Sequence, residues 1–148
     1  MTIEKIVTRD AQVGDIPVLA DLMVQLGYDT TTPEMQTRFV NIRNHPDYKT
    51  FVAVVDNSII GMIGLAKGYY YEHNGIYLRI LALVTNAKSR NNGVGKALVE
   101  KAENWAREIG AATILLNCGN REERTAAHIF YKGLGYSVKS SGFVKKLV

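Results

Sequence analysis

Residues 89–97 read SRNNGVGKA, and the fold turns on how that stretch is understood. It follows the apolar run YLRILALVT (77–85) and opens the helical pattern GVGKALVEKAENWAREIG (93–110), so it is a glycine-rich strand-to-helix turn. Two glycines let the main chain approach a ligand closely, and successive N–H groups at a helix start form an anion-binding nest. Arg90 and Lys96 add positive charge. Two familiar phosphate cradles fail by position. A Walker A loop needs Gly-x-x-x-x-Gly-Lys-Ser/Thr, but Arg90 stands at its first glycine and Ala97 at its hydroxyl. A dinucleotide fingerprint starting at Gly93 and Gly95 meets Leu98 at its third glycine, and its strand comes late in the chain. What remains is Arg-x-x-Gly-x-Gly: Arg90, Asn91, Asn92, Gly93, Val94 and Gly95. The hexamer is either an anion cradle or a tight turn whose glycines serve packing alone.

Working outward, IEKIVTR is a short first strand, and DIPVLADLMVQLG places Ile16, Leu19, Leu22, Met23 and Leu26 on one helical face, with Asp15 as cap and Gly27 as stop. TTPEMQTRFVNIRN predicts a second helix, with Thr31 or Thr32 before Pro33 and a stripe of Met35, Phe39 and Ile42. TFVAVVD and SIIGMIGLAKGYYY flank the hairpin signal Asp56-Asn57, and EHNG turns the chain into the strand at 76–85, which makes an antiparallel meander. After the helix of residues 94–109 comes the strand TILLN, and a strand-helix-strand crossover implies parallel pairing in the right-handed sense. Asn120 and Glu123 form a capping-box pattern for a final helix ending at Gly135. YSVKSS and GFVKKLV predict a closing hairpin. The expected order is β-α-α-β-β-β-α-β-α-β-β, an α/β fold with a mixed sheet and helices on both faces. SRNNGVGKA sits off the carboxyl end of a central strand, where open α/β sheets bind ligands.

The 148 residues show no repeat, linker or shift in composition, so one domain over 1–148 is expected. With 47% apolar and 22% charged residues and no long apolar run, the chain reads as an ordinary globular protein without a membrane partner. MTIEKIVTRD reads as a strand rather than a signal peptide, and a cytoplasmic location is the default expectation. The single cysteine, Cys118, excludes an internal disulfide, and three scattered histidines give no metal cluster. A net charge of +4 suits an anionic ligand. Nucleic acid is the weaker partner, because basic residues and aromatics do not interleave on a strand.

The hexamer at Arg90–Gly95 and the later AAHIFYKGLGY, with its Ala-x-x-Phe-Tyr-x-x-x-Gly-Tyr spacing, together resemble the GNAT superfamily of N-acetyltransferases. The resemblance covers essentially the whole chain. It implies acetyl-CoA as cosubstrate, no metal, and transfer of acetyl to a primary amine of a small molecule or peptide by direct attack in a ternary complex. It further implies that the main chain of Leu83, Val84 and Thr85 pairs with the pantetheine arm, and that the N–H groups of Arg90 through Lys96 hold the pyrophosphate. Asn120 and Tyr131 would line the other side, Asn120 doubling as a helix cap. Tyr131 stands at the family's position for the acid that serves the leaving thiolate, and an N–H near Val84 at the usual oxyanion donor.

The base has no matching residue. Many relatives carry a glutamate where Leu81 stands, and strand alternation puts Arg79, Leu81, Leu83 and Thr85 on one face. Glu72 and His73 in the preceding turn are the alternatives, or the proton leaves to solvent. Tyr69, Tyr70 and Tyr71 either wall the amine pocket or form a contact in a homodimer. A non-catalytic acetyl-CoA sensor is the competing reading.

Overall fold

The computed structural model describes residues 5–89, 92–118 and 124–148. Its elements are β1 (Val7–Asp10), α1 (Ile16–Leu26), α2 (Thr32–Arg43), β2 (Tyr48–Val55), β3 (Ser58–Tyr69), β4 (Ile76–Thr85), α3 (Val94–Glu108), β5 (Ala111–Leu116) and α4 (Thr125–Gly133), with 3-10 turns at Val13–Asp15 and Ala87–Ser89. The five strands form one sheet in the order β1-β2-β3-β4-β5. Two compact units divide the chain, Met1–Leu115 and Leu116–Val148.

Turn chemistry sets the meander. Asp56 and Asn57 both adopt left-handed backbone, with φ of 49° and 64°, which gives the two-residue turn whose twist matches antiparallel strands. Val55 and Ser58 pair directly across it. β1 pairs antiparallel with β2, and β3 with both β2 and β4.

Apolar side chains cover both faces. Leu19 and Leu22 of α1 and Met35 and Phe39 of α2 bury against Val52, Met62 and Val84 of the sheet. Phe51 and Ile63, one residue along from Val52 and Met62, point the other way. There the Phe51 ring meets Trp105 of α3 edge-on at 6.3 Å. Val94 and Leu98 of α3 come so close to the sheet that a Cβ on Gly61 would sit 3.0 Å from Val94 Cγ1. Glycine at 61 is what allows α3 to seat. Of the two candidates before Pro33, Thr31 caps α2, its hydroxyl accepting from the Glu34 N–H at 3.2 Å while the Glu34 carboxylate accepts from the Thr31 N–H at 2.9 Å.

Asp15 departs from expectation. It precedes α1 but makes no side-chain cap there. Its carboxylate turns back to accept the Gln12 N–H at 2.8 Å and a two-pronged pair of bonds from Arg9, at 2.8 and 3.1 Å. A fork of two donors plus a main-chain N–H outweighs one capping bond. The result clamps β1 to the entry of α1.

The closing hairpin also departs. Residues 136–148 form no strand, and Val138, Phe143, Val144, Leu147 and Val148 are exposed. Two short strands gain little unless a third strand or a helix buries one face, and Ser140, Ser141 and Gly142 weaken the middle of this segment. The helix before it ends as its sequence demands. Gly135 has φ +95°, the Tyr136 N–H donates to the Tyr131 carbonyl at 3.0 Å and the Gly135 N–H to Lys132 at 3.0 Å. This is the paired-bond helix stop, with the Tyr131 and Tyr136 rings in edge contact at 5.8 Å. The proposed capping pair Asn120 and Glu123 lies outside the described residues.

The Arg9 guanidinium and the Gln12 N–H hold the Asp15 carboxyl below its usual range, against the opposing effect of burial. The clamp's stabilisation is therefore fully present above about pH 4, the unfolded value, and is lost as pH falls through the lower folded value. Asp15→Asn is expected to cost about 2 kcal/mol in urea unfolding at pH 7. The gap between variant and wild type should narrow on acidification; a gap independent of pH would refute the role of the ionised pair.

Candidate active site

The site is built on β4 and the turn after it. β3 and β4 pair in continuous register from Tyr69↔Ile76 to Leu65↔Ile80, and again from Gly64↔Ala82 to Gly61↔Thr85. Leu81 is left over, one extra residue opposite none, which is a β-bulge. It is 50% exposed. Because β3 runs on without interruption, side chains paired with Met62, Gly64 and Ala66 share one face, and those paired with Ile63 and Leu65 share the other. Val84, Ala82 and Arg79 thus look toward α1 and α2, while Leu83 and Ile80 look toward α3. The expected common face of Arg79, Leu81, Leu83 and Thr85 is overturned, since simple alternation cannot survive an inserted residue.

At the end of β4 the chain is pinned. The Asn86 N–H donates to the Ile60 carbonyl at 2.8 Å, the Ser89 N–H to the Asn86 carbonyl at 2.8 Å, and the Lys88 N–H to the Asn86 side chain at 3.0 Å. Gln25 on α1 reaches across to accept the Ala87 N–H at 2.8 Å, with its own amide nitrogen donating to Asp21 at 2.8 Å. The chain then enters α3 through Gly93, whose φ of +81° favours glycine. No side chain caps this helix and no acidic residue stands in its first turn. The first-turn N–H groups of Val94, Gly95 and Lys96 therefore point off the helix with the positive end of its dipole and without a competing carboxylate. That fits an anionic group. Arg90 and Asn91, expected to extend the cradle, lie outside the described residues.

The other candidates divide. Val84 is buried, while Leu83 and Thr85 are half-buried on the same strand. Asn120 lies outside the described residues. Tyr131 is half-buried on α4, its ring 5.1 Å from Phe130. Burial pushes its phenol up to about 12, with Cys118 adding to the rise and Arg124 opposing it. At the far end of β4, Tyr70 stacks against His73 at 3.9 Å and Tyr77 at 5.2 Å, whereas Tyr69 and Tyr71 stand exposed. The Tyr77 ring crosses Gly68, where any Cβ would collide with it. Seven strand residues, roughly 20 Å, separate Tyr77 from Val84. Glu72 and His73 lie in the turn before β4, farther along than Tyr77.

A glycine-entered, uncapped helix start follows β4 at the end of the hexamer, and a family model described as acetyltransferase (GNAT) matches residues 17–136. The chain belongs to the GNAT acetyltransferase family. A GNAT family acetyltransferase from Staphylococcus aureus superposes with a TM-score of 0.83 at 34% identity, over 96% of this chain and 98% of that one. An uncharacterized N-acetyltransferase of Bacillus subtilis is 27% identical over 143 residues, 96% of each protein. An aminoglycoside N-acetyltransferase solved in complex with CoA shares the fold, with a TM-score of 0.80 at 16% identity over 98% of this chain and 97% of that one. Acetyl transfer is thus the general chemistry of this GNAT chain, and the α/β fold expected from sequence is the family's.

Sequence reasoning missed Gln25. Its position on the polar side of α1 carries no local signal, because its partner lies 62 residues away. Gln25→Ala should remove about 1 kcal/mol of stability and release the Ala87 N–H to faster hydrogen exchange. Unchanged exchange at Ala87 would show that the bond does not hold the turn.

Proposed function

We propose that this protein transfers the acetyl group of acetyl-CoA to a primary amine by direct attack in a ternary complex. The observation that carries the reading is the bare α3 N-terminus at the end of the bulged strand, in a chain of the GNAT family. In this reading the N–H groups of Arg90 through Lys96 take the pyrophosphate, and the main chain of Leu83, Val84 and Thr85 pairs with the pantetheine arm as a strand would. Asn120 contributes a polar contact beyond β5. When bound, acetyl-CoA supplies the activated thioester. The amine nitrogen attacks the carbonyl carbon, the C–N bond forms and the C–S bond breaks. An N–H near Val84 stabilises the charge that grows on the carbonyl oxygen.

Tyr131 is assigned to the leaving sulfur, and its acidity defines what it does there. A phenol at about 12 facing a thiol of ordinary pKa near 8.5 would have to give up its proton uphill by about 5 kcal/mol. It therefore donates a hydrogen bond to the thiolate and keeps its proton. Leu81 is exposed at the bulge and offers no carboxylate, so the amine deprotonates to solvent and binds uncharged. Proximity supplies the rest of the acceleration.

Acetyl-CoA should raise the Tm, because binding to the native state stabilises it by mass action, and Arg90→Ala and Gly95→Asp should reduce that shift. No shift at about 1 mM ligand, enough for several kcal/mol at micromolar affinity, would overturn the reading. Thiol release followed with a panel of amines should fall about 100-fold in Tyr131→Phe. With no enzymic base, kcat/KM should climb about tenfold per pH unit toward the amine's own pKa, near 10.4 for an alkylamine. A plateau near neutral pH would instead require a base in the protein. A Tm shift with no release by any amine would support the acetyl-CoA sensor in place of the enzyme.

A further inference from the structure

Resting on that reading, we infer that the acceptor amine also carries an oxyanion, a carboxylate or a phosphate, and that Arg79 is the residue that selects it. The bulge at Leu81 is the reason. Arg79 and Val84 are five residues apart and by plain alternation would face opposite ways. The inserted residue instead brings Arg79, paired with Ala66, onto the face of Val84, paired with Met62. The guanidinium thus stands on the α1 and α2 side of β4, two residues from the bulge, roughly 7 Å along the strand.

Three observations make this a recognition group. Arg79 is half-buried, yet the described residues give it no ion pair or hydrogen bond, while Arg9, Lys49 and Lys67 on the same sheet each pair with an aspartate. A guanidinium is always charged and presents a rigid fork that matches carboxylate or phosphate oxygens. Its surroundings leave room for one: Ala66 and Ala82 beside it are small, and a Cβ added at Gly64 would meet only the Ala82 Cβ, at 4.0 Å. Further along the same face, Tyr77 lies across Gly68 and stacks with Tyr70, forming an aromatic wall. Acceptor amine and anion are then separated by roughly 7–13 Å: four strand steps from the Arg79 pair to the Val84 pair, about 13 Å, less up to about 6 Å of side-chain reach.

Matched acceptors test this by thiol release. Each pair differs only in the anion: an amino acid with its methyl ester or amide, at short and long amine-to-carboxylate spacing, and an amino sugar phosphate with its unphosphorylated form. The acidic member should be preferred at least tenfold in kcat/KM, and comparison of the two sets separates carboxylate from phosphate. Arg79→Gln should raise its KM about 10- to 100-fold with little change in kcat, leaving the neutral member unaltered. Arg79→Lys should recover part of the loss. Transfer without preference for the acidic members, or an equal loss for both in Arg79→Gln, would overturn this inference while leaving the acetyltransferase reading intact. Failure of every amine to raise release would overturn both.

Discussion

One extra residue in β4 decides what the sheet presents to each side. Leu81 has no partner on β3, and every side chain before it is turned relative to every side chain after it. A strand cannot slip by one residue in a packed sheet without exchanging its core and solvent faces. Here the exchange is used within a single strand. Leu78 and Ile80 bury beneath α3 at the start of β4, and Val84 buries beneath α1 and α2 at its end. Each half thus satisfies the helix layer it meets, and the join between the halves falls where the chemistry is proposed.

The electrostatics of the site follow from omission as much as from placement. A helix start ordinarily recruits a serine, threonine or aspartate, as α2 does with Thr31. α3 begins with glycine and carries no acid in its first turn. The stability forgone at that cap leaves the donors available to a ligand, consistent with a chain of net charge +4.

Most of the fold was legible because its signals are local. Asp56-Asn57 specified the hairpin, Thr31 or Thr32 before Pro33 the start of α2, and the apolar stripes of α1 and α2 their buried faces. The start of α3 was legible for the same reason, since a helix start and its glycine adjoin in sequence. Register was not. The bulge depends on which β3 residue each β4 residue meets, and nothing in YLRILALVT marks Leu81 as the one left over. Asp15 illustrates a related loss: its capping position was clear, but the competing partner Arg9 sits on a strand whose proximity only the folded chain establishes. The closing hairpin failed in the opposite way, because its alternation was genuine but strand pattern alone does not supply a surface to cover it.

The contact of Tyr77 with Gly68 reaches beyond packing. The ring occupies the space that any side chain at 68 would need, so the two positions hold a joint constraint rather than two separate ones. Drift at either is conditional on the other: enlarging residue 68 requires the Tyr77 ring to swing aside or residue 77 to shrink, and a double-mutant cycle would read the dependence directly. The aromatic wall on this face of the sheet is therefore inherited or lost as a pair, and it can be remodelled from a glycine, whose new side chain would displace the ring, as well as from the tyrosine that forms it.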